Sequence, residues 1–267
     1  MVADLGRAEA FYRDGLGFHR VAAGPCDPAL PALLGIPEVR ADQVVLRLGD
    51  EEIALVRFDP PGAPYPAGSR SDDGWFQHLA IVVGDMEAAH RLLAAVGPQP
   101  ISTGGTPVTL PQRNGRVTAF KFRDPDGHPL ELIQFPPGQG RAVWAGRTEP
   151  FLGIDHSAVM ARRTARSVRF YRRLGFRVTA LSDNHGVPQS RLDGLLAAHA
   201  RVTGLRPPDG GSAGLELLCY DPPGCVAPHW PANDVVTDWV TLLVPGLVRP
   251  RLLRDPDGHR MLLVIRP

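Results

Sequence analysis

Apolar residues fall into short runs of strand length and into helical stripes, and the two alternate along the chain. Trp75 to Val83 is an apolar run of strand length. Asp85 then stands as a cap before Met86, Ala89, Leu93 and Val96, which recur at helical spacing, and Gly97-Pro98 ends the stripe. Two strands follow over Val117 to Phe122 and Pro129 to Phe135, joined by the turn Asp124-Pro125-Asp126-Gly127. The second half reads alike: a strand over Phe151 to Val159, a helix over Thr164 to Arg173, then strands near Arg177 to Leu181, Ala198 to Leu205 and Leu215 to Tyr220. A β-α-β-β-β unit thus occurs at least twice and, more loosely, four times. The first unit starts directly at its helix, with Asp4 as cap and its first strand missing. The last passes from a strand over Val235 to Val244 straight to one over Arg251 to Arg254, because Pro245, Gly246 and Pro250 leave no room for a helix.

Motifs recur in one order in both halves. Phe11-Tyr12-Arg13 with Leu16-Gly17-Phe18 matches Phe170-Tyr171-Arg172 with Leu174-Gly175-Phe176. Asp59-Pro60-Pro61-Gly62 matches Asp221-Pro222-Pro223-Gly224, and Asp124-Pro125-Asp126-Gly127-His128 matches Asp255-Pro256-Asp257-Gly258-His259. Such an ordered set indicates a tandem duplication. The Pro/Gly-rich segment from Pro136 to Pro150 divides it, giving an N-terminal domain over 1–136, a linker over 137–150 and a degenerate C-terminal domain over 151–267.

Composition narrows the field. The 267 residues are 43% apolar, enough for a core, and 29 basic against 28 acidic residues give a net charge of +1. That balance argues against nucleic acid and anionic membrane as partners. No run is long enough for a membrane span, the N-terminus does not read as a signal peptide, and three cysteines without paired spacing suit a reducing cytoplasm. Lys121 is the sole lysine, which reads as the codon bias of a G+C-rich genome.

The FYR-x-LGF segments, the paired DPDGH turns and the four β-α-β-β-β units resemble the vicinal oxygen chelate superfamily of glyoxalases, bleomycin-resistance proteins and type I extradiol dioxygenases. The resemblance covers nearly the whole chain. It implies an α+β fold of tandem modules paired into two open barrels, and a divalent metal held by the first and last strands of each module. Carried onto this chain, the ligand positions in the first half are His78 and Glu131. Strand alternation puts His78 on a face with Phe76, Ala80 and Val82, and Glu131 on one with Ile133 and Phe135. A buried carboxylate there needs a partner, either a metal or an arginine. The remaining positions of that half are empty: Ala54 stands where the second half has Glu216, and the strand for a first histidine would precede Met1, which favours a coding start further upstream. The second half offers His156, Glu216 and Asp238, with Asp238 in the slot of His78 and Leu262 in that of Glu131.

These positions imply a metal-dependent enzyme chelating adjacent oxygens of a small substrate, by extradiol-dioxygenase or glyoxalase/lyase chemistry, with Fe, Mn, Zn or Ni as the ion. The alternative is a metal-free small-molecule binder of the bleomycin-resistance type. Either would work as a monomer or homodimer. His128 and His259, inside repeated turns, read as structural.

Overall fold

A computed structural model of the chain describes residues 1–75, 77–208 and 213–265. The first unit comprises α1 (Leu5–Leu16), β1 (His19–Pro25), α2 (Ala29–Leu33), β2 (Arg40–Leu48) and β3 (Glu51–Asp59). The second runs through β4 (Gln77–Val82), α3 (Met86–Ala94), β5 (Gln99–Pro100), β6 (Val108–Thr109), β7 (Thr118–Arg123) and β8 (Pro129–Gln134). The third holds β9 (Gly153–Met160), α4 (Thr164–Arg173), β10 (Arg177–His185), α5 (Val187–Asp193), β11 (His199–Arg206) and β12 (Gly214–Tyr220). The fourth is β13 (Trp239–Val244), β14 (Arg251–Arg254) and β15 (Arg260–Ile265), with no helix after β13. The result is a mixed α+β fold. Among the described residues no helix is long and apolar enough to cross a membrane.

Local sequence accounts for these elements. The Arg7 amide donates to Asp4 at 2.9 Å and the Ala88 amide to Asp85 at 3.0 Å, so both aspartates cap their helices. Met86, Ala89 and Leu93 are buried and share one core with Ala8, Phe11 and Leu16 of α1. The helices approach closely at Gly15, where a Cβ would lie 2.4 Å from Val96 Cγ2. A second core beneath α4 gathers Val159, Tyr171, Leu205, Leu217 and Met261. The recurring motifs meet one another. Tyr12 donates to Asp124 at 3.2 Å, and Tyr171 to Asp255 at 3.0 Å. Each aspartate also accepts two backbone amides of its own turn, all at 2.9 Å. His128 Nε2 lies 3.1 Å from the Val235 carbonyl, and His259 Nε2 lies 2.8 Å from that of Met160. Both histidines thus tie their turns to neighbouring segments.

Strand pairing places the site. A nine-stranded sheet has the order β10-β11-β12-β9-β4-β8-β7-β5, with β6 on β7. At its centre β4 and β9 run antiparallel, each flanked by a parallel partner, β8 and β12. The second and third units therefore share one sheet, whereas β1-β2-β3 and β13-β15-β14 are separate. The division expected at 136 and 151 does not enclose separate sheets. Without each other, β4 and β9 would be edges with unpaired backbone groups, and pairing across the division satisfies both.

Candidate metal centre

Alternation turns Ile81, Val83, Leu130 and Leu132 into the helix-covered core. His78, Ala80, Glu131 and Ile133 consequently face the other side of β4 and β8; Phe76, assigned to the same face, lies outside the described residues. On β9 and β12, Val159, Leu215 and Leu217 enter the core beneath α4, while His156 and Glu216 line a cavity with His78 and Glu131. The register brings these four together. Ala80 is the Cα partner of both Glu131 and His156, and Ala158 of both His78 and Glu216. Both alanines are fully buried, and their small side chains leave room between the polar groups. Ile81 pairs with Ile154 while Ala80 pairs with His156, so Asp155 is the extra residue of a bulge. The bulge lets Asp155 and His156, adjacent in sequence, both serve the site.

His78 Nε2 lies 3.0 Å from Glu131 Oε2. His156 Nε2 lies 3.9 Å from that oxygen and 3.4 Å from Glu216 Oε2. One ligating atom from each of His78, Glu131 and His156 falls within 4.8 Å of the others, and all three residues are buried. Atoms bound to one ion at about 2.0–2.2 Å stand roughly 3 Å apart, so modest closure would bring the three into one shell. The surroundings of His156 fit that role. Its Nδ1 is 2.9 Å from Asp155 Oδ2, and Arg206 Nη2 donates to Asp155 Oδ1 at 2.9 Å. The carboxylate engages Nδ1 and leaves Nε2 turned to the centre, as outer-shell carboxylates do for metal-binding histidines. His156 Nε2 is buried and makes no hydrogen bond.

The charges are strongly perturbed. Burial pushes His78 down to about 4, leaving a neutral imidazole. Burial opposes ionisation of Glu131, but the neighbouring His78, then Lys121 and His156, hold it down to about 2. Burial also opposes charge on His156, yet Glu216 and Asp155 pull it up to about 9. Glu216 is raised by burial, which outweighs the pull of His156. Asp155, despite burial, is held down to about 2 by His156 and Arg206. These shifts set a pH window for the metal-free protein. The depressed carboxylates stabilise the fold above their ordinary values of 4.5 and 3.8, and lose that contribution as pH falls toward about 2. His156 contributes below its ordinary 6.5 and loses its contribution as pH rises through about 9. Burial of neutral His78 costs stability as pH falls below 6.5 toward about 4, so in a chelator the part of Tm due to this cluster should peak near pH 6.5. A His156→Gln variant whose Tm deficit is the same at pH 6 and pH 10 would contradict the assignment.

Asp238, expected as a ligand, lies elsewhere. Thr241 partners Leu262 as Ala80 partners Glu131, so Trp239 holds the place equivalent to His78 and Asp238 is one residue out of register. Its carboxylate lies 3.4 Å from His128 Nε2 and contacts the Met1 nitrogen. The second ligand set read from the sequence is thus divided. His156 and Glu216 join His78 and Glu131, while the equivalent positions Ala54, Trp239 and Leu262 are apolar. Sequence reasoning missed Asp155, whose only signal is adjacency to His156, and Lys121, whose uniqueness reads as codon bias.

The sequence model described as the Glyoxalase/Bleomycin resistance protein/Dioxygenase superfamily matches residues 1–132. No curated protein matches the chain. Among solved structures, a glyoxalase I mutant from Zea mays aligns over 99% of this chain and 90% of its own, at 19% identity and a TM-score of 0.61. A putative dioxygenase from Bacillus subtilis aligns over 100% of this chain and 83% of its own, at 12% identity and a TM-score of 0.59. Both share the fold.

Proposed function

Since the chain belongs to the Glyoxalase/Bleomycin resistance protein/Dioxygenase superfamily, we propose that it is a divalent-metal enzyme of glyoxalase- or lyase-like type, moving a proton on a small substrate with two adjacent oxygens. The observation that carries this reading is the meeting of His78, Glu131 and His156 with a fourth group, Glu216, beside them. The first three would hold the ion, which would act as a Lewis acid on the adjacent oxygens. Asp155 and Arg206 keep His156 oriented. Glu216 is 29% exposed, toward the cavity, and is the group free to take a proton from the carbon beside those oxygens. Its buried setting raises its affinity for that proton. Ile133 and Leu218 line the same cavity and give part of its wall an apolar surface.

Two histidines and one carboxylate are also the donor set of oxygen-activating iron sites, so extradiol ring cleavage is the second reading. Metal analysis of protein purified without an affinity tag should find one ion per chain. In D2O the loaded protein should exchange the carbon-bound hydrogens of dihydroxyacetone. Glu216→Gln should keep the metal and lower exchange by about 100-fold or more. Oxygen uptake with catechol and no exchange would favour the dioxygenase; no metal, with a Tm indifferent to chelation, would favour a metal-free binder.

A further inference from the structure

One lysine occurs in the chain, and it is buried in the wall of this cavity. Lys121 lies on β7 as the Cα partner of Glu131, across an antiparallel pair whose Cα atoms stand about 5 Å apart. Its side chain is 4% exposed and lines the cavity that holds His78, Glu131, His156 and Glu216. The ammonium is fixed. Lys121 Nζ donates to Asp193 Oδ1 at 2.7 Å, and Asp193 Oδ2 accepts from Gln189 Nε2 at 2.7 Å and from the Tyr220 hydroxyl at 2.9 Å. Three residues of the third unit thus fix a cation of the second unit beside a shared space of about 230 Å³. That volume is below the range of roughly 300–1,000 Å³ for drug-sized ligands, so an occupant is small and touches most of the wall.

We propose that Lys121 contacts the substrate: its ammonium hydrogen-bonds a carboxylate or enolate oxygen and selects small 2-hydroxy or 2-oxo acids over their uncharged analogues. This rests on the metal-centre reading above. A purely structural ion pair between the units would not need to border the cavity, and an apolar pair would pack there at least as well. A buried cation with its geometry fixed beforehand is the arrangement that stabilises charge developing on a substrate oxygen. Burial opposes the charge on Lys121, but Asp193 and then Glu131 more than offset it, so the ammonium persists.

The test uses the full chain loaded with Co(II), whose visible spectrum reports the centre, and two probes of one skeleton, lactate and lactamide. The ratio of their affinities should fall about 10- to 100-fold in Lys121→Met, the worth of one charged hydrogen bond. Lys121→Met/Asp193→Asn, which leaves no buried charge unpaired, should show the same fall if the single variant folds poorly. In the wild type, ¹³C-lysine labelling yields one Cε resonance, and lactate but not lactamide should shift it. Co(II) bound with an unchanged ratio and an unmoved resonance overturns the role of Lys121 alone. Absence of a Co(II) spectrum overturns the metal-centre reading, and this inference with it.

Discussion

If the proposed centre holds the metal, replacing His156 by alanine should lower divalent-metal affinity well beyond the ten- to hundredfold typical of losing an outer-shell partner, because a direct ligand would be removed. Asp155→Asn should fall within about that ten- to hundredfold range, since it disturbs only the tautomer and aim of His156. Asp238→Asn should leave affinity unchanged, because its carboxylate faces His128 and Met1 rather than the centre. Metal titration of the three variants gives the ordering. The physical reason for a large first effect is the fixed position of the histidine: its Nδ1 is committed to Asp155, and its Nε2 faces Glu131 and Glu216. Equal losses in the His156 and Asp238 variants would place the metal elsewhere.

Asp193→Ala should destabilise the fold by about 3–5 kcal/mol, the range for removing one partner of a buried ion pair. Three donors lose their acceptor together: the Lys121 ammonium, the Gln189 amide and the Tyr220 hydroxyl. The backbone around Asp193 also ties the units, since Ser71 Oγ donates to the Asp193 carbonyl at 2.8 Å and Ser102 Oγ to that of Leu192 at 3.0 Å. For a chain of this size each kcal/mol corresponds to roughly 2–4 °C, so Tm should fall by at least about 6 °C. Lys121→Met/Asp193→Asn should recover most of the loss, because it removes the uncompensated cation and keeps an acceptor for Tyr220. Equal Tm values for the single and double variants would show that the ion pair is not what Asp193 supplies. Urea unfolding gives the free energies directly.

Much of the architecture was legible because its signals are local. Caps at Asp4 and Asp85, the stripe of α3 and the turns at Asp124 and Asp255 each depend on residues within a few positions. The common face of His78 and Ala80, and that of Glu131 and Ile133, follow from the two-residue period of a strand. Asp238 illustrates the limit of counting. A slip of one residue in the pairing of β13 with β15 puts Trp239 where Asp238 was expected, and no local pattern marks that register. Lys121 illustrates another limit: its count is visible in the chain, but its partner Asp193 is 72 residues away.

By itself the amino-acid sequence determined the main α+β elements, their order, and which neighbours share a face with His78 and with Glu131 on their own strands, since alternation and capping act over a few residues. Only the tertiary structure decided that β4 pairs with β9, that His156 and Glu216 therefore come to His78 and Glu131, and that Asp238 stays away. The physical reason is that open strand edges carry identical backbone donors and acceptors. Which two edges meet is settled by packing across the whole chain, as is the one-residue bulge that turns Asp155 and His156 to the same site.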